Sequence, residues 1–420
     1  MASQLSLDSL PPEVVETIVS MLDFADVCAL RLTGTLVSAK ASQCRFTSWF
    51  SRKRIELTSK AQLDDFVRMT ERNQVGCLLE HLTLVYVLPP LGDDAETSKP
   101  KQDAQVVVWC LTLAFKNILV HSEHSRLQSL TLKVERDGDD LTDGTWRNPK
   151  SFGNKELIWA SAAWTFETAC LALDTSRLPI NQFNIFDGAK RGSLACDQLA
   201  KTMNVVEVPM AMKNLRCLSL SLSERMHNLD SQGFEFVTSA NHHIQHLCRF
   251  LQCFPGLESL EIHWFNYSRN RISAMERERR FFDLVAESVK LPHLLCLSLK
   301  GVYTCEAALT KFLSNTPLLH SLTLEGLHLQ EGTFHRIFDM VLPQLDYLRL
   351  DDLFAPSLID FDLPGEPHFP STGAKKGPNE LTRCGPEARR SIKYRTFSGR
   401  GMGSQRYNQW LYMRLLKYGI

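Results

Sequence analysis

The sequence lacks the marks by which a catalytic chain usually declares itself. It has no Gly-x-x-x-x-Gly-Lys phosphate loop, no Gly-x-Gly-x-x-Gly dinucleotide loop and no Gly-x-Ser-x-Gly nucleophile turn. With nothing to seat a phosphate, a dinucleotide or an acyl group, we expect no cofactor and no chemistry by the chain itself. None of its twelve cysteines forms a Cys-x-x-Cys pair, which removes the commonest redox and zinc signatures. They run from Cys28 to Cys384, mostly inside apolar patterns, as reduced core thiols do. An excess of one charge is missing too: 47 Lys and Arg stand against 47 Asp and Glu, so whole-chain electrostatics give no reason to expect nucleic acid or a membrane surface. The most apolar run, QVVVWCLTLAF at 105–115, is far short of the ~20 residues that span a bilayer. The first 25 residues carry Asp8, Glu13, Glu16 and Asp23 without a basic residue, unlike a secretory leader. These absences predict a soluble chain of the cytoplasm, the nucleus or both.

What is present is apolar material. The chain has 420 residues, 44% of them hydrophobic, which exceeds one compact domain and predicts two or three domains or a repeat array. In PPEVVETIVSML, from Pro11, the residues Val14, Val15, Ile18 and Leu22 fall along one helical face. Pro11 and Pro12 suit a helix entrance, where an N–H is orphaned anyway, and Leu10 can staple back onto the first turn. Asp23 reads as the N-cap of a second helix, with Asp26 three residues on. A third short helix is expected between Leu36 and Phe50. Three short helices make a poor independent core, so something else should cover them.

Leu10-Pro11-x-Glu13-Val14-Val15-x-x-Ile18-Val19-Ser20-x-Leu22, followed by Asp26-Val27 and Leu30-Arg31-Leu32, resembles an F-box. That short helical module docks on the adaptor of a Skp/cullin/F-box ubiquitin ligase. The resemblance covers residues 7 to about 50 and departs after the second helix, where Gly34-Thr-Leu-Val replaces the family's basic residue and tryptophan and Trp49 comes late. It implies an adaptor-binding surface of Leu10, Pro11, Val14, Ile18, Leu22, Val27 and Leu30.

Beyond residue 50 a seven-residue frame, L-x-x-L-x-L, recurs in LEHLTLV (79), LQSLTLK (127), LRCLSLS (215), LESLEIH (257), LLCLSLK (294), LHSLTLE (319) and LDYLRLD (345), with a degenerate INQFNIF at 180. Successive starts lie 48, 53, 35, 42, 37, 25 and 26 residues apart, with helical patterns between them. Helix then short strand, repeated, is the logic of leucine-rich repeats, although the Asn or Cys that usually follows such strands is mostly absent. We therefore expect an N-terminal three-helix F-box over 1–50, an irregular α/β leucine-rich-repeat solenoid over 51–355, and a partly disordered basic tail with a terminal helix over 356–420. Together these features resemble the divergent, fungal-type F-box proteins with leucine-rich repeats. Polar loops are expected at 89–104 and 135–154.

Residues between the frame leucines alternate onto one polar face. Ser259, Glu261, His263, Ser298, Lys300, Thr323, Glu325, Tyr347 and Arg349 are its candidate target-binding residues. The tail is polarised: 346–366 holds six acidic residues against one Arg, while 375–400 holds eight Lys or Arg against two Glu. A metal reading rests on His242 and His246, one helical turn apart, with Cys253; no second ligand pair has zinc spacing, so no metal is expected. The resemblance implies a non-catalytic substrate receptor whose partners are the ligase adaptor, the cullin scaffold and an unknown target protein. The alternative is a leucine-rich-repeat interaction scaffold with no ligase role.

Overall fold

Pro12 opens the first helix, Pro12–Met21 (α1), because its missing N–H falls where no intrahelical partner exists. Asp23 caps the second, Phe24–Arg31 (α2), its carboxylate accepting from the Asp26 amide at 2.8 Å. Two more follow, Thr35–Ala41 (α3) and Cys44–Ser48 (α4), so the module has four short helices rather than the expected three. Lys40 Nζ on α3 donates to the carbonyls of Asp8 and Leu10, at 2.8 and 2.7 Å, and ties α3 to the entry turn. The module's own core is Val15, Val19, Val27, Ala41 and Phe46, separate from that of the rest of the chain.

The computed structural model describes residues 6–88, 103–136, 155–187, 193–205, 210–223, 235–265, 281–355, 357–365, 377–396 and 405–418. Most of the two expected polar loops lies outside the described residues.

After the module comes a regular alternation. Strand Arg52–Glu56 (β1) and helix Lys60–Met69 (α5) lead to His81–Leu88 (β2) and Ala104–His121 (α6). Then come Leu127–Arg136 (β3), Lys155–Ser176 (α7), Ile180–Ile185 (β4), the short Leu194–Ala195 (β5), and Cys196–Val205 (α8). Cys217–Ser223 (β6), Glu235–Gln252 (α9), Ser259–Trp264 (β7), a helix over 281–288 (α10) and Cys296–Lys300 (β8) continue it. The remainder adds Tyr303–Thr304 (β9), Glu306–Ser314 (α11), Ser321–Glu325 (β10), His328–Leu329 (β11), Phe334–Val341 (α12), Tyr347–Asp351 (β12) and Phe354–Ala355 (β13). It ends with Ser357–Phe361 (β14), Glu380–Cys384 (β15), Tyr394–Thr396 (β16) and Gln405–Tyr418 (α13).

The expected leucine-rich-repeat solenoid is corrected by this arrangement. The chain is a mixed α/β fold built on one large, mostly parallel sheet in the order β1-β2-β3-β4-β6-β7-β8-β10-β12-β15, with β5 paired to β6. Among the described strands of this sheet only β15 runs antiparallel, against β12. The frame leucines are what any parallel strand needs when one face is covered by crossover helices, and by themselves they do not distinguish repeats from a continuous α/β sheet. The crossovers differ too much to be copies of one unit, with helices from 8 to 22 residues.

Pairing runs straight across the sheet. Leu82, Leu130, Phe183, Leu218, Leu260, Leu297, Leu322 and Leu348 form one row, and Leu84, Leu132, Ile185, Leu220, Ile262, Leu299, Leu324 and Leu350 the next. Both rows are buried against helices such as α6, whose Leu111, Phe115 and Ile118 belong to the same core. Length and composition would let α6 cross a membrane; Val107, Leu111, Phe115 and Ile118 serve that core, while Val106, Trp109 and Val120 are exposed. A second sheet, β16-β14-β13-β11-β9, gathers the short strands that follow β8, β10 and β12. Thus the described parts of the segment expected as a loose tail are strands and a helix packed on the body.

Candidate functional sites

Two surfaces stand out. On the module, the seven residues implied as an adaptor surface divide: Pro11 and Val14 are exposed, while Leu10, Ile18, Leu22 and Leu30 are half-buried. Val27 is fully buried and belongs to the module's own core, so it cannot contact a partner. Sequence reasoning missed the more exposed apolar residues Leu7, Met21, Phe24, Leu32 and Leu36; Leu32 is 88% and Met21 79% exposed. Met21 stands seven residues after Val14, the same helical face, and could have been found by that spacing. Leu32 and Leu36 flank the turn at Gly34, which approaches Asp8 beside Leu7. Behind the module, an open cleft of about 1020 Å³ is lined by Phe24, Trp49 and Phe50 on one side and by Arg52, Arg68, Met69 and Val75 on the other.

The second surface is the polar face of the sheet near its last strands. Register brings Glu261, Ser298, Thr323 and Arg349 into one row and His263, Lys300, Glu325 and Asp351 into the next. Ser259 and Tyr347 sit in the row before, on β7 and β12, and all nine candidate residues are half-buried. Their charges are largely spent on one another. Lys300 Nζ lies 2.7 Å from Glu261 Oε1, and Arg349 bridges Glu325 at 3.1 Å and Glu380 at 3.6 Å. Burial pushes the Glu261 carboxyl up, but the hydrogen bond and charge of Lys300 outweigh it and hold it below its ordinary value.

Helix α13 lies across the carboxyl ends of these strands, a placement not read from the sequence. His263 Nε2 donates to the Lys417 carbonyl at 2.6 Å, which leaves Nδ1 to accept from Ser221 Oγ at 3.4 Å. Trp410 Nε1 donates to the Asp352 carboxylate at 2.9 and 3.1 Å. Arg414 Nη1 lies 3.2 Å from Asp352 Oδ2, Arg414 Nη2 donates to His328 Nε2 at 3.1 Å, and Lys417 Nζ is 3.6 Å from Asp351. Burial, then the charge of Arg414, holds the His328 imidazole well below its usual value; burial also lowers His263. The expected terminal helix is present as α13; along it Trp410 is half-buried and Met413 is exposed.

The metal alternative gains no geometry. His246 is buried, the His242 side chain lies outside the described residues, and Cys253 gives its thiol proton to the Arg249 carbonyl at 3.2 Å. Among the described residues no three His, Cys, Asp or Glu side chains converge as a metal would require. The strands follow one another across the sheet in chain order. Among the described strands, then, no reversal of order opens the crevice in which many α/β enzymes bind their ligands. No protein-family profile matches the chain, and no characterised protein matches it.

Proposed function

We propose that this chain is the substrate-recognition subunit of a Skp/cullin/F-box ubiquitin ligase. In this reading the N-terminal module docks on the adaptor and the α/β body holds a target protein. The observation that carries it is a four-helix module with a minimal core that leaves Leu7, Val14, Met21, Leu32 and Leu36 in solvent. A handful of such side chains, at about 1.5–3 kcal/mol each when buried, suffices for a specific interface after association costs. The chain itself performs no chemistry; the cullin and RING subunits supply the charged conjugating enzyme, and catalysis is proximity.

The test is co-purification of the full chain with the ligase adaptor, comparing wild type with Val14→Asp/Leu36→Asp. A one-to-one complex lost in the variant supports the proposal. A wild-type chain that stays alone while soluble and folded is an interaction scaffold with no ligase role, and the proposal fails.

A further inference from the structure

Arg414 enters the body as a ligand would enter a pocket. Its side chain is only 9% exposed, and its guanidinium is met by the Asp352 carboxylate, by His328 Nε2 and by the face of Phe354, whose centroid is 4.5 Å away. None of those three groups belongs to α13. His328 is stacked between Tyr303 at 4.4 Å and Phe354 at 4.1 Å, with rings within 13° of parallel. The pairing of β11 with β9 and β13 sets that stack, because His328 stands in register with both aromatic residues. The walls of the slot are therefore supplied by the body, by β9, β11 and β13 and the turn at Asp352, and not by the helix that fills it.

The neighbours of the slot continue the pattern. Trp410, Arg414 and Tyr418 are spaced four apart, so they share one face of α13. The Tyr418 ring lies on Gly301 and Gly326, both with positive φ; a Cβ on Gly326 would stand 2.7 Å from the ring. The described helix carries Arg406, Arg414 and Lys417 and no acidic residue, while the strand ends beneath it offer Glu325, Asp351 and Asp352. One contact is poor: the Tyr418 hydroxyl is buried with no hydrogen-bond partner among the described residues. A buried hydroxyl without a partner has lost its hydrogen bond to water, so α13 is an imperfect occupant of its own seat.

We propose that this strand-end pocket is a recognition site for an arginine side chain, and that an arginine- and aromatic-bearing basic helix of a partner takes it in exchange for α13. The inference deepens the receptor reading, on which it rests for the identity of that partner as the target. The partner segment repeats the chemistry of α13, an aromatic ring four residues to either side of the arginine.

The probe is a fluorescein-labelled synthetic peptide with the sequence of residues 405–420, added to the full-length chain bearing Trp410→Ala/Arg414→Ala. We expect saturable binding, weakened roughly tenfold or more when the peptide itself carries Arg414→Ala. Equal binding of the two peptides, or none by a variant that unfolds at the wild-type temperature, overturns the proposal. If the variant does not fold, the wild-type chain serves. Unlabelled peptide in excess over the roughly millimolar effective concentration of a tethered helix should speed amide exchange across 405–418, and unchanged exchange overturns the proposal. Adaptor recovery is read on the same preparations. Peptide binding lost with the adaptor retained overturns this inference alone; adaptor lost with peptide binding kept overturns only the docking proposal.

Discussion

In the N-terminal module the core reduces to Val15, Val19, Val27, Ala41 and Phe46, whereas one continuous core in the α/β body runs from Ile55 to Ile392. The same kinds of apolar residue are used to different ends. In the body the frame leucines face helices and are closed off; in the module, Met21 and Leu32 face solvent though each lies a residue or two from a buried or half-buried neighbour. A unit with so little core gains stability chiefly from whatever covers it, while the body has enough buried area to stand alone. The strand-end pocket is an intermediate case, because the body supplies the walls and α13 fills the space.

The contrast can be broken by substitution. Phe183, fully buried and stacked on Phe166, should cost about 3–5 kcal/mol as Phe183→Ala, and denaturant melts should show the whole body destabilised. Val27→Ala should cost roughly 1–3 kcal/mol and speed amide exchange within 12–50, leaving the unfolding midpoint of the body in place. A shift of both together would mean that the two cores are one. Asp23→Ala removes the cap of α2, worth about 1 kcal/mol, with fraying confined to that helix.

Acid sharpens the comparison from the other side. His328 and His263 both titrate below the ordinary value of 6.5, so above that pH they are neutral in the folded and unfolded chains alike. Below it the unfolded chain takes up protons that the folded chain refuses, and stability falls as pH falls. Melts at pH 7 and pH 5.5 should show the loss in the body, and protection of α13 amides, relative to their intrinsic exchange rate at each pH, should fall first, because protonated His328 faces Arg414. The smallest effect is expected from Met21→Ser: largely solvated surface positions of this kind change stability by no more than about 0.5 kcal/mol.

Much of the local structure was legible in the sequence. Every frame became a strand, the leucines paired with one another, and Asp23 capped its helix as its spacing to Asp26 indicates. The polar alternation of the last strands is real, since it depends only on the two-residue period. The fold class was not legible. A leucine frame reports that a strand is buried on one side, and it is silent on whether its crossovers repeat. Strand β1, RKRIE, was missed because it carries one apolar residue; as an edge strand it exposes Arg52, Lys53 and Arg54, which guard the edge. Likewise β15 and the two-residue strands of the second sheet are too short or too polar to show a period. The seat of α13 joins residues up to 154 apart, such as His263 and Lys417, and no local pattern announces a contact over that distance.

The most direct measurement is amide hydrogen exchange of the full chain with and without the ligase adaptor. Docking through the module predicts new protection within residues 7–36, around Val14, Met21 and Leu36, with exchange in the body unchanged. Protection that appears only in the body, or nowhere at adaptor concentrations that saturate an established F-box protein, would contradict the account.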